Sequence, residues 1–234
     1  GMSSTEKIPF HVEMNRIVEL LARQIYQSPL ALLRENCQNA YDAILQRRHL
    51  GQSFDPEISI SITPTEIKVT DNGIGMTKDE MIKNYWRAGA SGKNNPEARA
   101  AGVVGTFGIG AMANFGIASE LFVLTESART GERIRSEAAR ETLSATEDCI
   151  QLISEPSLGQ PGTTVTAKIP ASSPIDINGA KAYIKDCVRF LEIPVLVNNE
   201  IVSQENFATI VPRIQAEWTK KEVGAKLGSV IQAD

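Results

Sequence analysis

The sequence has 234 residues, of which 42% are hydrophobic and 22% charged, and its formal net charge at pH 7 is −4. This composition is that of an ordinary globular protein with enough chain to bury a substantial core. The negative charge argues against a non-specific nucleic-acid surface, which needs clustered lysine and arginine. The short basic pairs Arg47–Arg48 and Lys220–Lys221 are expected to lie on solvated helix faces.

Cysteine spacing and hydropathy exclude further classes. Cys37, Cys149 and Cys187 are far apart, and no CxxC or Cys/His cluster occurs. The sequence therefore predicts reduced, partly buried thiols rather than a zinc site or a disulfide framework. No run of about 18 apolar residues and no apolar signal segment is present, so we expect a cytoplasmic protein without membrane contact.

Two helices are predicted at the start of the chain. Apolar residues at helical spacing indicate a first helix over about residues 13–26. Ser28 and Pro29 mark a new start, with serine as N-cap and proline at the first helical position. This second helix is predicted to run to about Arg48 and to stop at Gly51.

A strand pair and a capped helix follow. Isoleucines alternate with serines over residues 57–63, which predicts a half-buried strand, and a Thr-Pro-Thr turn leads into a second strand over residues 66–70. Thr77 with Glu80 three residues later forms a capping box. This pattern predicts a helix over about residues 78–86.

Strands dominate the second half of the predicted structure. A Gly- and Ala-rich segment over residues 87–110 carries no strand pattern. After it we predict a helix, four strands, another helix and an extended pair around a tight Asn198-Asn199 turn. The predicted ranges in this order are about 109–117, then 120–126, 132–138, 148–154 and 163–169, then 179–191, and finally 194–202.

This element order predicts an α+β fold. Strands joined by short hairpins imply a two-layer α/β sandwich, a mixed and mostly antiparallel sheet with helices on one face. The parallel βαβ alternation is missing, which excludes the dinucleotide and P-loop folds. We assign residues 1–207 to one domain and residues 208–234 to a linker or the start of a downstream domain. The sequence is therefore expected to be part of a longer protein.

The second predicted helix has an apolar face and a polar face. Glu35, Asn39 and Asp42 fall within about 60° of one another on the polar face. A solvated acidic stripe on an amphipathic helix is one interpretation. In the other, the Asn39 amide oxygen is one ligand of a Mg²⁺ otherwise held by phosphate and water, while Glu35 polarises a water for attack on phosphorus. The segment alone leaves both open.

A glycine turn, Asp71-Asn72-Gly73-Ile74-Gly75-Met76, directly follows a predicted strand. A simple strand-ending turn is one interpretation, since Asp-Asn-Gly is strong turn chemistry. Two nearby glycines also allow a backbone to approach a flat ligand closely. An aspartate buried behind this loop can accept a hydrogen bond from an exocyclic amino group, which separates adenine from guanine.

Residues 102–110 contain four glycines ahead of the apolar helix. Backbone N–H groups at a helix N-terminus suit a phosphate cradle, and a flexible loop is the alternative. No Gly-Lys-Ser/Thr follows the glycines and no strand precedes them, so neither a Walker loop nor a dinucleotide fingerprint is present. Gly162-Thr163 at a later strand start is a weak signal by itself.

Taken in order, these features resemble the GHKL superfamily of Bergerat-fold ATPases, which comprises gyrase, the heat-shock chaperone, histidine kinases and MutL. Residues 10–200 are similar in particular to the N-terminal ATPase domain of the ninety-kilodalton heat-shock chaperone family. The segments that carry the resemblance are 10–44, 73–78, 91–92, 105–110 and 182–197.

The resemblance implies a role for each matching residue. Glu35 would be the general base, Asn39 would hold Mg²⁺, and Asp42 would support the base or ribose side. Asp71 would accept from the adenine amino group, with support from Thr163 through water. The other nucleotide contacts it implies are Gly75, Met76 and Asn84, and, in the lid, Ser91, Gly92, Lys93, Gly105, Thr106, Phe107, Gly108, Ile109 and Gly110.

The sequence departs from that family at the lid. Trp86-Arg87 stand where the chaperones usually have Gly-Thr, and Ala90 stands where they usually have a lysine. Lys93, three residues away, is the candidate substitute for that lysine. These departures bear on lid movement and on one phosphate contact.

The resemblance implies a domain that binds and hydrolyses Mg-ATP, with ATP-driven lid closure, homodimerisation through regions outside this sequence, and client proteins as partners. Hydrolysis by these residues alone is expected to be weak, since they offer no persuasive cation for the γ-phosphate beyond Lys93. The alternatives are a DNA-associated ATPase similar to MutL and a non-catalytic nucleotide-sensing module. The acidic charge argues against direct nucleic-acid binding.

Overall fold

The computed structural model describes residues 3–10, 29–87, 110–144 and 146–205. Within these ranges, nine strands form one sheet. The strands are β1 (Ser4–Ile8), β2 (Ile58–Thr63), β3 (Glu66–Asp71), β4 (Glu120–Glu126), β5 (Arg133–Ala139), β6 (Ile150–Glu155), β7 (Gly162–Lys168), β8 (Val195–Val197) and β9 (Glu200–Ile201). The helices are α1 (Pro29–His49), α2 (Lys78–Glu80) and α3 (Ile177–Val188), with 3₁₀ turns at Gly110–Gly116 and Arg140–Thr142.

The sheet is mixed and mostly antiparallel. Its strand order is β1-β6-β5-β4-β7-β3-β2-β8-β9. Only the β2–β8 pair is parallel among the described strands, and the other seven pairs are antiparallel. This arrangement confirms the predicted α+β fold class.

Strand alternation builds the core that lies under α1. On β2 the three isoleucines are buried, while Ser61 on the other face is exposed. Strand β3 repeats the pattern with Ile67, Val69 and Asp71 buried. Because each fully buried aliphatic side chain contributes about 1.5–3 kcal/mol, this face fixes the register of the sheet. Asp71 is thereby placed on the buried face at the end of β3.

The predicted boundaries are close to the observed ones, with three instructive differences. The capping box at Thr77 and Glu80 is present, but α2 continues as a π-helical turn over Met81–Tyr85. The predicted helix after the glycines is a 3₁₀ helix. Helix α3 begins two residues early, because Asp176 accepts from the Gly179 N–H as its N-cap.

Strand β1 was not predicted. Its sequence is polar and its first four residues are exposed, so the alternation of apolar residues that marks a half-buried strand is missing. It pairs antiparallel with β6 at the sheet edge. The predicted helix over 13–26, most of the segment 87–110 and the tail from 208 lie outside the described residues.

The three cysteines are free, as predicted, with Cys37 buried and Cys149 and Cys187 half-buried. Burial raises the pKa of the Cys37 thiol to about 12. No helix in the described part of the chain is both long and apolar enough to cross a membrane.

Candidate functional site

Helix α1 is buried on its polar face as well as on its apolar face. Glu35 is 4% exposed and Asp42 is 1% exposed, while Asn39 is half-buried. The interpretation of this face as a solvated acidic stripe is therefore wrong. Because a charged group is rarely buried without a specific use or partner, this helix is a candidate for one wall of a binding site.

A buried amide pair fixes α1 against the 3₁₀ turn that follows residue 109. Asn36 Nδ2 donates to Asn114 Oδ1 at 2.7 Å, and Asn114 Nδ2 donates to the Ala111 carbonyl at 3.2 Å. Both asparagines are almost fully buried. Sequence reasoning missed this pair, because Asn36 lies between the two faces of α1 and its partner is 78 residues away.

Asp71 ends β3 with its side chain buried at 8% exposure. Its Oδ1 atom accepts a hydrogen bond from the Gly73 N–H at 2.7 Å. Burial raises the pKa of the Asp71 carboxyl to about 7, and backbone hydrogen bonds from Gly73 and Thr163 oppose that rise. Near neutral pH this carboxyl can therefore be either a pure acceptor or a donor.

The glycine turn after Asp71 is clamped between α1 and β4. A Cβ on Gly73 would lie 2.4 Å from the Ala43 carbonyl carbon, and one on Gly75, whose φ is +65°, would lie 1.8 Å from the Glu126 carbonyl oxygen. The Ile74 N–H donates to the Ala43 carbonyl at 2.9 Å. In the structure, Gly73 and Gly75 thus lie against protein backbone, whereas the sequence suggested a close approach to a flat ligand.

Arg47 holds the same turn from the outside. Its Nη1 atom donates to the Asn72 carbonyl at 2.7 Å, and its guanidinium carbon lies 4.1 Å from the Phe54 ring centroid. The prediction of a solvated Arg47 is therefore wrong, because its guanidinium is used for packing. Arg48 is exposed as expected and forms an ion pair with Glu192 at 2.8 Å.

Two threonines complete the buried end of the site. Thr163 on β7 lies opposite Asp71 in the strand register and opposite Thr125 of β4 on its other side. The two hydroxyl oxygens are 2.9 Å apart, and the Met76 N–H donates to Thr125 Oγ1 at 2.9 Å. Sequence reasoning found Thr163 from its Gly-Thr motif but missed Thr125, because its contacts with Met76 and Thr163 follow only from strand pairing.

The structure thus brings several of the predicted site residues together at the end of β3. Asp71, Gly75, Met76 and Thr163 lie around one strand end, and Ala43 of α1 is bonded to the same turn. Among the described residues, no group of three or more His, Cys, Asp or Glu side chains could hold a metal ion. A cation at α1 would therefore need most of its oxygen ligands from a bound phosphate and water.

The model of the histidine kinase-, DNA gyrase B- and HSP90-like ATPase family matches residues 26–165. The chain belongs to this family. It is therefore an ATP-binding ATPase domain, and the matched segment contains both α1 and the glycine turn.

Similar curated proteins are heat-shock chaperones of the ninety-kilodalton class. A TNF receptor-associated protein 1 homolog, mitochondrial, from Dictyostelium discoideum is 33% identical over 55% of this chain and 20% of its own length. Chaperone protein HtpG from Anaplasma phagocytophilum is 29% identical over 57% of this chain and 23% of its own length. An Endoplasmin homolog from Dictyostelium discoideum is 25% identical over 92% of this chain and 29% of its own length. The chain thus spans less than a third of each.

Trp86, one of the residues that depart from the chaperone pattern, is a core residue of this ATPase domain. It is fully buried and makes edge contacts with Phe10 and Tyr85, at centroid distances of 6.3 and 5.4 Å. Its indole Nε1 donates to Ser136 Oγ at 3.1 Å. A glycine at this position would leave a large void, so the rest of the core is built around the indole.

The remaining predicted site residues are only partly described. Asn84 is half-buried in the π-helical turn. Gly110 is described as the first residue of the 3₁₀ helix. Outside the described residues lie Ser91, Gly92, Lys93, Gly105, Thr106, Phe107, Gly108 and Ile109.

Proposed function

We propose that this domain binds Mg-ATP with the adenine amino group at Asp71 and hydrolyses it through Glu35, as part of a chaperone-like cycle. The observation that carries the proposal is the buried Asp71 carboxyl at the end of β3, held by the Gly73 N–H at 2.7 Å. An ionised carboxylate there is an acceptor, which suits the exocyclic amino group of adenine and opposes the carbonyl oxygen of guanine.

The base would lie against the glycine turn. Gly75 and Met76 would line it, and Met76 is half-buried against the core. Thr163 would support the amino group through water from the neighbouring strand. Asp42 is buried and directly precedes Ala43, whose carbonyl accepts from the Ile74 N–H of the turn. It would support the base or ribose side, and Asn84 would reach the nucleotide from the π-helical turn.

The metal and the attacking water would lie along α1. Glu35 and Asn39 are one helical turn apart, so their side chains project from the same side. The Asn39 amide oxygen would be one ligand of Mg²⁺, and Glu35 would be the general base toward water. When bound, the cation would neutralise charge on the phosphates, while Glu35 positions and deprotonates the water.

Lid closure and assembly complete the proposal. Residues 91–93 and 105–110 would enclose the phosphates, with Lys93 as the cation nearest to the γ-phosphate. Dimerisation and client binding would involve parts of a longer protein, in keeping with a relative that is named a chaperone protein. A cytoplasmic location stays a prediction, because one of the similar proteins is mitochondrial.

Titration calorimetry with ADP and Mg²⁺ tests the adenine contact. Asp71→Asn should lower ADP affinity by roughly 10- to 100-fold, because a charge-assisted hydrogen bond worth about 1.5–3 kcal/mol is lost. Asp55→Asn removes an exposed carboxylate beside the same turn, where the Asp55 backbone carbonyl accepts from Asn72 Nδ2 at 2.7 Å, and it should leave the affinity unchanged. Equal ADP binding by Asp71→Asn and the unaltered protein would overturn the assignment of Asp71.

Turnover separates the competing functions. The unaltered protein should release phosphate slowly from Mg-ATP. A protein that bound ADP with Mg²⁺ but never hydrolysed ATP, even as the full-length chain, would be the nucleotide-sensing module instead.

A further inference from the structure

Arg47 and Asp71 lie at opposite ends of one peptide group. Arg47 Nη1 donates to the Asn72 carbonyl oxygen at 2.7 Å, and the Gly73 N–H donates to Asp71 Oδ1 at 2.7 Å. The Asn72 carbonyl and the Gly73 N–H belong to the same peptide bond, which is planar and, in its trans form, points these two groups in opposite directions. The guanidinium is thus connected to the buried carboxyl through a single rigid unit.

The direction of both hydrogen bonds is fixed by the chemistry of the groups. A guanidinium and a peptide N–H can only donate, and a carbonyl oxygen can only accept. When Arg47 donates to the Asn72 carbonyl, it polarises the peptide and makes the Gly73 N–H a stronger donor toward Asp71. Because a hydrogen bond to the charged form of an acid favours ionisation, this arrangement stabilises the Asp71 carboxylate.

The guanidinium of Arg47 is itself held in place. Its Nε atom donates to Gln52 Oε1 at 2.9 Å, and its carbon atom lies 4.1 Å from the centroid of the Phe54 ring. Gln52 Nε2 in turn donates to the Ala128 carbonyl at 3.0 Å, between β4 and β5. Arg47 therefore reaches the turn from a fixed position.

The peptide that Arg47 contacts has a glycine on one side, and glycine adopts a wide range of φ values. The orientation of this peptide therefore depends on the hydrogen bonds at its two ends. The Asn72 side chain is engaged elsewhere, since its Oδ1 accepts from the Glu57 N–H at 2.9 Å and its Nδ2 donates to the Asp55 carbonyl at 2.7 Å. The bond from Arg47 thus selects the orientation in which the Gly73 N–H meets Asp71.

We propose that Arg47 is a positioning residue for adenine binding, which acts through the 72–73 peptide to hold the Gly73 N–H on Asp71 and to favour the carboxylate that accepts from the adenine amino group. The inference rests on the proposed adenine contact. The other charged residues on the elements around the turn are Glu35, Asp42, Asp55, Glu57, Glu126 and Arg133. These stay the same when Arg47 is replaced, so they form a constant background.

The first test follows ADP affinity against pH by titration calorimetry. In the unaltered protein, the affinity should reach half of its high-pH value near pH 7, since the pKa of Asp71 is about 7. Arg47→Met should raise this midpoint by about 0.5–1 pH unit, which lowers the affinity at pH 7 by about two- to fivefold and leaves it nearly equal near pH 9. A merely structural role of Arg47 would instead weaken binding at every pH.

Arg48→Met is the matched control for this test. It removes the same charge from the next position of α1, where Arg48 is exposed and pairs with Glu192 at 2.8 Å. Its midpoint should equal that of the unaltered protein. If Arg47→Met does not fold, Arg47→Gln gives the same comparison, because its shorter, uncharged amide removes the charge-assisted hydrogen bond.

The second test needs no nucleotide. The isotope-labelled carboxyl carbon of Asp71, followed by NMR, should titrate at a higher pH in Arg47→Met than in Arg48→Met. The Gly73 amide hydrogen should exchange with solvent about tenfold faster in Arg47→Met, which is roughly the value of one hydrogen bond. A raised titration midpoint with unchanged Gly73 exchange would overturn the path through the peptide.

The two tests separate this inference from the proposed function. Failure of the unaltered protein to bind ADP at any pH would overturn the proposed function, while the Asp71 titration and the Gly73 exchange would still test the role of Arg47. Normal ADP binding with the same midpoint in Arg47→Met and Arg48→Met would overturn only the role of Arg47.

Discussion

Two regions of the molecule differ in burial rather than in local conformation. Helix α1 and the Asp71–Met76 turn form the first, which we call the inner wall. Helix α3 and the loop at residues 156–161 form the second, which we call the outer elements. Both helices carry acidic residues, yet α1 buries Glu35 and Asp42 while Asp186 on α3 is exposed. Gly75 and Gly159 have nearly equal φ values of +65° and +69°, yet only Gly75 has backbone within reach of a Cβ.

Residue types along the chain therefore predict a turn or a helix, whereas the burial of charged groups indicates where a site lies. Helix α3 buries Ala180, Ile184 and Val188 on one stripe and leaves Lys185 and Asp186 exposed, as a surface helix should. The inner wall places carboxylates where solvation is lost, which costs free energy. Because such a cost is offset either by a specific partner or by function, burial makes these carboxylates candidates for functional groups.

The largest expected difference is catalytic. Glu35→Ala should lower the rate of ATP hydrolysis by about 10²- to 10⁴-fold, the range for loss of a general base, and leave ADP binding intact. Asp186→Ala removes a helix carboxylate from the outer elements and should leave the rate unchanged. Phosphate release at saturating Mg-ATP measures both, and an unchanged rate in Glu35→Ala would remove the functional distinction between the two helices.

The second expected difference is in folding stability. Gly159→Ala should lower the free energy of unfolding by about 1–2 kcal/mol, the cost of a left-handed backbone for a residue with a Cβ. Gly75→Ala should cost at least about 1 kcal/mol more, because the Glu126 backbone must also move. Urea unfolding of the pair measures the difference, and equal losses would show that the clamp between the turn and β4 is unimportant.

The pH dependence of binding is the smallest expected effect. If only the ionised carboxylate of Asp71 accepts from adenine, ADP affinity should rise roughly tenfold from pH 6 to pH 8, since the pKa of Asp71 is about 7. Asp71→Asn cannot titrate there and provides the baseline for ionisation of the ADP phosphates. Parallel pH profiles in the two proteins would contradict a titrating acceptor.

The same pKa has a consequence for stability. The folded state holds the Asp71 proton more tightly than the unfolded chain, whose pKa is the ordinary value of 3.8. The contribution of this group to stability therefore falls as the pH rises from about 4 to about 7. The inner wall is thus least stable in the ionisation state that binds adenine.

Much of the inner wall could be predicted from sequence, because its signals are local. Glu35 and Asn39 share a helix face by spacing alone, and Asp71 precedes a glycine turn that follows a clear strand. The capping box at Thr77 is likewise contained in four residues. Each of these elements was found at or near its predicted position.

What could not be predicted depends on pairing between distant segments. Thr125 contacts the Thr163 hydroxyl only because β4 lies beside β7. Gly162, the first residue of β7, is 37 residues from Thr125 in the sequence. The Asn36–Asn114 pair and the Arg47 contact with Asn72 depend on how α1 packs. Strand β1 is held by an edge pairing that its polar sequence does not indicate.

A structure of the protein crystallised with ADP and Mg²⁺ tests the central claim most directly. The adenine amino group should lie within hydrogen-bond distance of the Asp71 carboxylate, and the metal should lie beside Asn39. A base bound away from Asp71, or no bound nucleotide at saturating ADP, would contradict it.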